Sequence, residues 1–191
     1  MNIVVLVKQV PDTNEVKIDP ETGRIMREGL PSIINPDDKA GIEEALKIKD
    51  ENGAHVTVLS MGPPQAAEAL KEAYAMGCDE VILLTDRAFG GADTWATSTA
   101  IAAAINNLDY DLIIAGRQAI DGDTAQVGPQ TAEHLAIPSI SYVEDIKEVN
   151  GSNITVQRQY EDRYQILKAK FPVLITTLGE MNSPRSVSYT H

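Results

Sequence analysis

Leu112-Ile113-Ile114-Ala115-Gly116-Arg117-Gln118-Ala119-Ile120-Asp121-Gly122-Asp123-Thr124-Ala125-Gln126-Val127-Gly128-Pro129 is the stretch on which the fold turns. A short apolar run passes into a Gly-rich loop. Helical spacing then resumes over Ala125 to Leu135, with Pro129 close enough to the helix start to be tolerated. Strand-to-helix loops of this kind lie at the carboxyl edge of open α/β sheets, where such sheets bind nucleotides. Gly116, Gly122 and Gly128 let backbone N–H groups approach an anion with no Cβ in the way, and Thr124 and Gln126 add side-chain hydrogen bonds. The spacing is neither the G-x-G-x-x-G fingerprint nor a P-loop, so the mechanics point to an anion or nucleotide without naming it. The alternative is a Gly-rich turn in which Asp121 and Asp123 stay solvated.

Three more apolar runs, Ile3 to Val7, Val56 to Leu59 and Val81 to Leu84, read as buried strands. Helical spacing fills the intervals at Ala40 to Lys49, Ala66 to Met76 and Thr94 to Ile105. This alternation predicts an α/β fold: a doubly wound, mostly parallel, Rossmann-like sheet covered on both faces. The first crossover is longer than a helix requires. Turn residues Asp19, Pro20 and Gly23 separate the β-like pieces Val16 to Ile18 and Arg24 to Met26, which predicts an inserted hairpin. Asn35-Pro36-Asp37-Asp38 then starts the first helix, with proline in its first turn and acids at its positive end. Near the C-terminus the pattern becomes alternating. Ser139 to Glu148, Asn153 to Tyr160 and Tyr164 to Ala169 predict an antiparallel meander, and Val173 to Thr177 a return to the main sheet. Residues 1–178 are expected to form one domain. Gly179 to His191 has no periodic apolar face and is expected to be mobile unless a partner holds it.

The chain has 191 residues, enough for one substantial core. Its 28 acidic against 16 basic residues give a formal charge of -12, which opposes binding to nucleic acid or to an anionic membrane surface. The apolar start, Met1 to Lys8, is too short for a signal peptide or a span, so a cytoplasmic protein with no membrane insertion is expected. One cysteine, Cys78, excludes an internal disulfide and a thiolate cluster, so redox chemistry must come from a cofactor. His55, His134 and His191 have no metal-ligand spacing, and no catalytic triad assembles.

Two further loops share the carboxyl edge. Phe89-Gly90-Gly91-Ala92-Asp93-Thr94-Trp95-Ala96-Thr97 follows the third strand; Asp93 or Thr94 can cap the helix, and Thr94 and Thr97, one turn apart, can hold a pyrophosphate. The alternative there is ordinary capping with a buried Trp95. Ser60-Met61-Gly62-Pro63-Pro64 ends the second strand, where Met61 offers an adaptable surface to a flat ring, or where a plain turn suffices.

Val7-Lys8-Gln9-Val10-Pro11-Asp12, Asn35-Pro36, and Gly116 to Asp121 with Gln126 together resemble the beta subunit of electron-transfer flavoproteins. A further signature of that family resembles Arg158-Gln159-Tyr160-Glu161-Asp162-Arg163-Tyr164-Gln165 followed by Leu167 and Pro172 to Thr176, with Arg163 departing from the small or acidic residue usual there. The resemblance runs to Asn182-Ser183-Pro184-Arg185. Family members continue further, and 179–191 is read as a truncated partner-wrapping arm.

The resemblance implies a heterodimer whose alpha subunit carries an electron-transferring FAD. The beta subunit binds AMP in housekeeping members and a second FAD in the electron-bifurcating branch, which Gly90 to Ser98 and Asp121 to Pro129 resemble. It implies FAD here, NADH as donor, acyl-CoA dehydrogenase-type and ferredoxin or flavodoxin partners, and no catalytic side chain. Leu6, Asn35, Pro36, Asp37, Asp38 and Met61 are expected around the adenine end, with Gly116, Arg117, Gln118, Ala119, Ile120, Asp121, Gly122, Asp123, Thr124, Ala125, Gln126 and Val127. Thr94 and Thr97 are expected near the pyrophosphate, and Arg117 or Lys8 is a candidate to offset flavin or phosphate charge. The rival functions are structural AMP binding and a homodimeric stress-type nucleotide-binding protein.

Overall fold

A computed structural model of the chain describes residues 1–12, 17–18, 25–26 and 31–187. Strand β1 (Asn2–Val7) lies at its centre because Ile3, Val4, Val5, Leu6 and Val7 are all buried. Alternate residues serve opposite faces. Ile3, Val5 and Val7 join one apolar cluster, with Ile42, Leu46 and Ile48 of α1 (Pro36–Asn52) and Leu70, Ala73 and Met76 of α2 (Ala67–Met76). Val4 and Leu6 join the other, with Ile101 and Ile105 of α3 (Thr94–Ile105) and Ala132 of α4 (Val127–His134). Each such side chain contributes about 1.5–3 kcal/mol on burial, so a charge at Val5 would break both the strand and the packing under α1.

β1 pairs in parallel with β6 (His55–Met61) and β8 (Leu112–Gly116), placing Val5 between Val58 and Ile114. Outside β6 lies β7 (Glu80–Leu84), also parallel. On the other side β12 (Val173–Thr177) pairs in parallel with both β8 and β9 (Ser139–Val149). β9 then pairs antiparallel with β10 (Asn153–Gln159), and β10 with β11 (Tyr164–Lys170), which form the expected meander at the sheet edge. The final run thus returns to the main sheet as the bridge between the parallel strands and the meander.

In the first crossover, β2 (Gln9–Pro11) pairs with β5 (Ser32–Ile34), and β3 (Lys17–Ile18) with β4 (Ile25–Met26), both antiparallel. The expected turn at Asp19, Pro20 and Gly23, and the flanking Val16 and Arg24, lie outside the described residues. α1 starts with Pro36 and carries Asp37 and Asp38 in its first turn. It ends at Gly53, whose left-handed φ of 68° lets its N–H donate to the Lys49 carbonyl. α4 starts at Val127, two residues later than the apolar spacing gives, because Ala125 takes a left-handed φ of 53°.

The segment after β12 is tied down as far as it is described. Gly179 N donates to Asp37 Oδ1 (2.8 Å), and Asn182 Nδ2 donates to the Ala40 carbonyl and Glu44. Arg185 reaches Glu43 through Nε (3.0 Å) and Asp50 through its terminal nitrogen (2.9 Å). For 179–187, α1 supplies hydrogen-bond and ion-pair partners within the same chain. Among the described residues no helix is long and apolar enough to cross a membrane, and no cluster of His, Cys, Asp or Glu is arranged to hold a metal.

Candidate functional site

The carboxyl ends of β1, β6, β7 and β8 open into one cavity of about 1020 Å³. Small-molecule pockets run to about 300–1,000 Å³, so this one has room for more than a mononucleotide. Leu6, Asp38, Met61, Thr94 and Thr97 line it. So do Gly116, Arg117, Gln118, Ala119, Gly122, Asp123, Thr124, Ala125, Gln126 and Val127. The polar side chains of its wall are Thr, Asp, Gln, Lys and Arg, groups suited to hydrogen-bonding and charge-pairing a bound molecule.

Asn35, Pro36, Asp37, Ile120 and Asp121, also expected at the site, stand behind this wall. Asn35 is fully buried; its Nδ2 donates to the Gln118 carbonyl (2.9 Å) and its Oδ1 accepts from Ile120 N (3.1 Å), so it pins the loop from beneath. Pro36 is the first residue of α1 and fixes where that helix begins. Asp37 takes Gly179 N, and its other oxygen lies 3.3 Å from Arg117 Nε in an ion pair too misaligned to be a hydrogen bond, leaving both atoms buried without one. Asp121 holds Lys8 Nζ through both oxygens, at 2.7 and 2.8 Å. This half-exposed pair is worth at most about 1 kcal/mol, but it joins the end of β1 to the loop. Arg117 and Lys8 thus pair with Asp37 and Asp121 within the chain.

The floor is built around Asp38. Its carboxylate accepts from Lys8 N (2.8 Å) and Gly116 N (3.0 Å), clamping the ends of β1 and β8 together. Burial pushes this carboxyl up to about 7, against the lowering effect of the Lys8, Asn35 and Gly116 hydrogen bonds. Gly116 is obligatory here for a second reason: a Cβ would sit 2.1 Å from Asp38 Oδ1.

Above the floor, Asp123 and Ala125 both take left-handed conformations, with φ of 50° and 53°. Such backbone in a non-glycine residue costs about 1–3 kcal/mol and persists where its surroundings over-determine it, here partly through Gln118 Nε2 donating to Asp123 Oδ1 (2.9 Å). Asp121 and Asp123 thus order the loop. Asp93 caps α3 by accepting from Ala96 N (2.8 Å), and Thr94 Oγ1 donates to Gln126 Oε1 (2.9 Å), so the starts of α3 and α4 are joined over the cavity. The N–H groups of a helix's first turn have no intrahelical acceptor, and these two starts therefore favour an anion between them.

Trp95 is 62% exposed, which overturns the alternative of a buried tryptophan. Its ring meets His134 edge-on at 4.5 Å, on the outer side of α3 and α4. Cys78 is buried and burial pushes its thiol up to about 12, so it stays an unreactive packing residue.

Sequence reasoning placed the second loop from Phe89 onward and so missed Thr85, Asp86 and Arg87, which also line the cavity. The available signal was position: these residues follow β7 directly, at the same carboxyl edge.

A family model for the electron transfer flavoprotein domain matches residues 22–190. The electron transfer flavoprotein subunit beta of Clostridium acetobutylicum is 63% identical over 188 residues, covering 98% of this chain and 72% of that protein. Its counterpart in Thermoanaerobacterium thermosaccharolyticum is 60% identical over 185 residues, covering 97% and 71%. The caffeyl-CoA reductase-Etf complex subunit CarD of Acetobacterium woodii is 58% identical over 190 residues, covering 98% and 72%. These matches set aside the stress-type alternative: the chain belongs to the electron transfer flavoprotein family and resembles its beta subunits along nearly all of its length.

Proposed function

We propose that this chain is the beta subunit of an electron-bifurcating heterodimer and that its cavity holds FAD. The observation that carries the reading is a single cavity of about 1020 Å³ spanning the loops after both β7 and β8, with two helix starts bridged between them. A site for AMP needs only one of these loops and a smaller volume. Gly91, with a φ of 78° and open space where a Cβ would point, leaves backbone accessible at the β7 end.

The chain's residues bind and orient. Leu6 and Met61 present apolar surface for the adenine, and the 116–126 loop, pinned by Asn35, surrounds that end. Thr94, Thr97 and the start of α3 take the pyrophosphate. When bound, FAD supplies the redox chemistry: hydride acceptance from NADH and one-electron delivery to the alpha-subunit flavin and to a low-potential acceptor such as ferredoxin or flavodoxin. The name of the Acetobacterium woodii relative, a subunit of a caffeyl-CoA reductase complex, supports an acyl-CoA dehydrogenase-type partner for this chain. A cytoplasmic setting belongs to the same reading.

Co-expression with the alpha subunit, followed by a flavin count and an NADH titration, tests it. Two flavins per heterodimer with reduction by NADH support the proposal. One flavin plus one AMP, with no response to NADH, contradicts it.

A further inference from the structure

Among the described residues, the charged side chains of the cavity wall are almost all spoken for. The lining carboxylates are turned onto donors within the chain: Asp86 onto Ala88 N, Asp93 onto Ala96 N and Asp123 onto Gln118 in their own loops, and Asp38 onto two strand-end amides. Of the cations, Lys8 is chelated by Asp121, and Arg117 lies against Asp37. Arg87 has neither an ion pair nor a side-chain hydrogen bond among these residues, although it lines the cavity in a chain of formal charge -12. With so many carboxylates available, a guanidinium left over a cavity is placed for a charge that the protein does not supply.

Its position says which charge. Arg87 lies three residues past β7, whereas the 116–126 loop follows β8, and β1 and β6 lie between those strands. Three inter-strand spacings separate the two ends, about 14 Å. On the FAD reading, a nucleotide gripped by the 116–126 loop directs its first phosphate toward Thr94 and Thr97. Arg87 lines the cavity in the loop after β7, with Gly90 and Gly91.

We infer that Arg87 binds the second phosphate of a pyrophosphate-containing ligand and thereby selects dinucleotides over AMP. This rests on the FAD reading, which it deepens by naming the residue that makes the choice. Guanidinium and phosphate form charge-assisted, often bidentate hydrogen bonds, and at a partly exposed site their loss costs about 10- to 100-fold in affinity.

Calorimetric titration of the full chain with AMP, ADP and FAD tests the inference in wild type, Arg87→Ala and Arg87→Lys. Arg87→Ala is expected to weaken ADP and FAD by about 10- to 100-fold and to leave AMP within about twofold, with Arg87→Lys intermediate. Its thermal midpoint should match wild type, since the side chain is exposed and holds nothing else. Equal weakening of AMP would place Arg87 on the first phosphate, and unchanged ADP would remove it from the phosphates; either overturns the inference. A wild-type chain that binds ADP but not FAD overturns the FAD reading alone, because the ADP comparison still decides the role of Arg87.

Discussion

Gly116→Ala is the sharpest probe of how the cavity floor is built. An added Cβ would lie 2.1 Å from Asp38 Oδ1, 2.8 Å from Asp38 N and 2.9 Å from Asp37 Cβ. A carboxylate on a free rotor would swing away from such a contact. This one is held by Lys8 N and Gly116 N, and the other two contacts are to the first turn of α1 itself, so the helix start or the end of β8 must shift by about an ångström. Either movement breaks one or both hydrogen bonds to the carboxylate, each worth about 1.5–3 kcal/mol. The expected loss is about 3–5 kcal/mol, a large share of the roughly 5–15 kcal/mol that stabilises a typical domain. With a urea slope of about 2 kcal/mol per molar, the unfolding midpoint falls by about 1.5–2.5 M. Gly122→Ala is the matched control in the same loop: nothing lies within 4 Å of its added Cβ, and a change under about 0.5 kcal/mol is expected. If Gly116→Ala unfolds at the same urea concentration as Gly122→Ala, the clamp carries no load and the account of the floor is wrong.

Asp38 also makes stability depend on pH. Its carboxyl is raised from 3.8 to about 7, so the folded chain holds that proton more tightly than the unfolded one. The stabilisation from this group is complete below about pH 4 and is lost as pH rises through about 7, at up to roughly 1.4 kcal/mol per pH unit and on the order of 4 kcal/mol in all. Relative to Asp38→Asn, wild type should therefore lose stability between pH 4.5 and 7 in urea titrations; parallel pH profiles would contradict this. Asn35→Ala removes the two hydrogen bonds that pin the 116–126 loop from outside the cavity, at about 1–3 kcal/mol, and should weaken nucleotide binding at least tenfold in calorimetry even though Asn35 does not line the wall. Unchanged affinity would mean that the loop keeps its shape unaided. Arg185→Ala takes the guanidinium away from the buried carboxylate of Glu43, leaving it the hydrogen bond from the backbone N–H of residue 185 (2.9 Å), and should cost about 1–3 kcal/mol in urea unfolding, with faster amide exchange over 179–187; exchange rates equal to wild type would show that the strap is not held by this pair.

How far the chain could be read in advance follows from the range of the interactions concerned. β1, β6 and β8 were legible because a strand buried on both faces must be a continuous apolar run, as Leu112 to Ala115 is. The bounds of α3 were legible because Asp93 and Thr94 carry a local capping signal. By contrast, the insertion of β12 between β8 and β9 depends on which edges are left to pair, and no periodicity encodes that. At the site, motif matching grouped Asn35, Asp37 and Asp121 with residues that line the cavity. Their supporting role depends on partners far off in sequence, such as Gln118, 83 positions from Asn35. The strap at Arg185 was missed for the same reason, since Glu43 and Asp50 are ordinary surface acids until the chain returns to them. Arg87 was missed because what distinguishes it is the lack of a side-chain partner among the described residues, which only the assembled cavity shows.

Whether the cavity carries a flavin dinucleotide is decided by the nucleotide released from the purified protein. Heat denaturation of the heterodimer followed by chromatography of the supernatant should yield two FAD per heterodimer and no AMP, with one FAD retained by a Gly116→Ala variant that keeps only the alpha-subunit flavin. One FAD and one AMP from the wild-type heterodimer would contradict it.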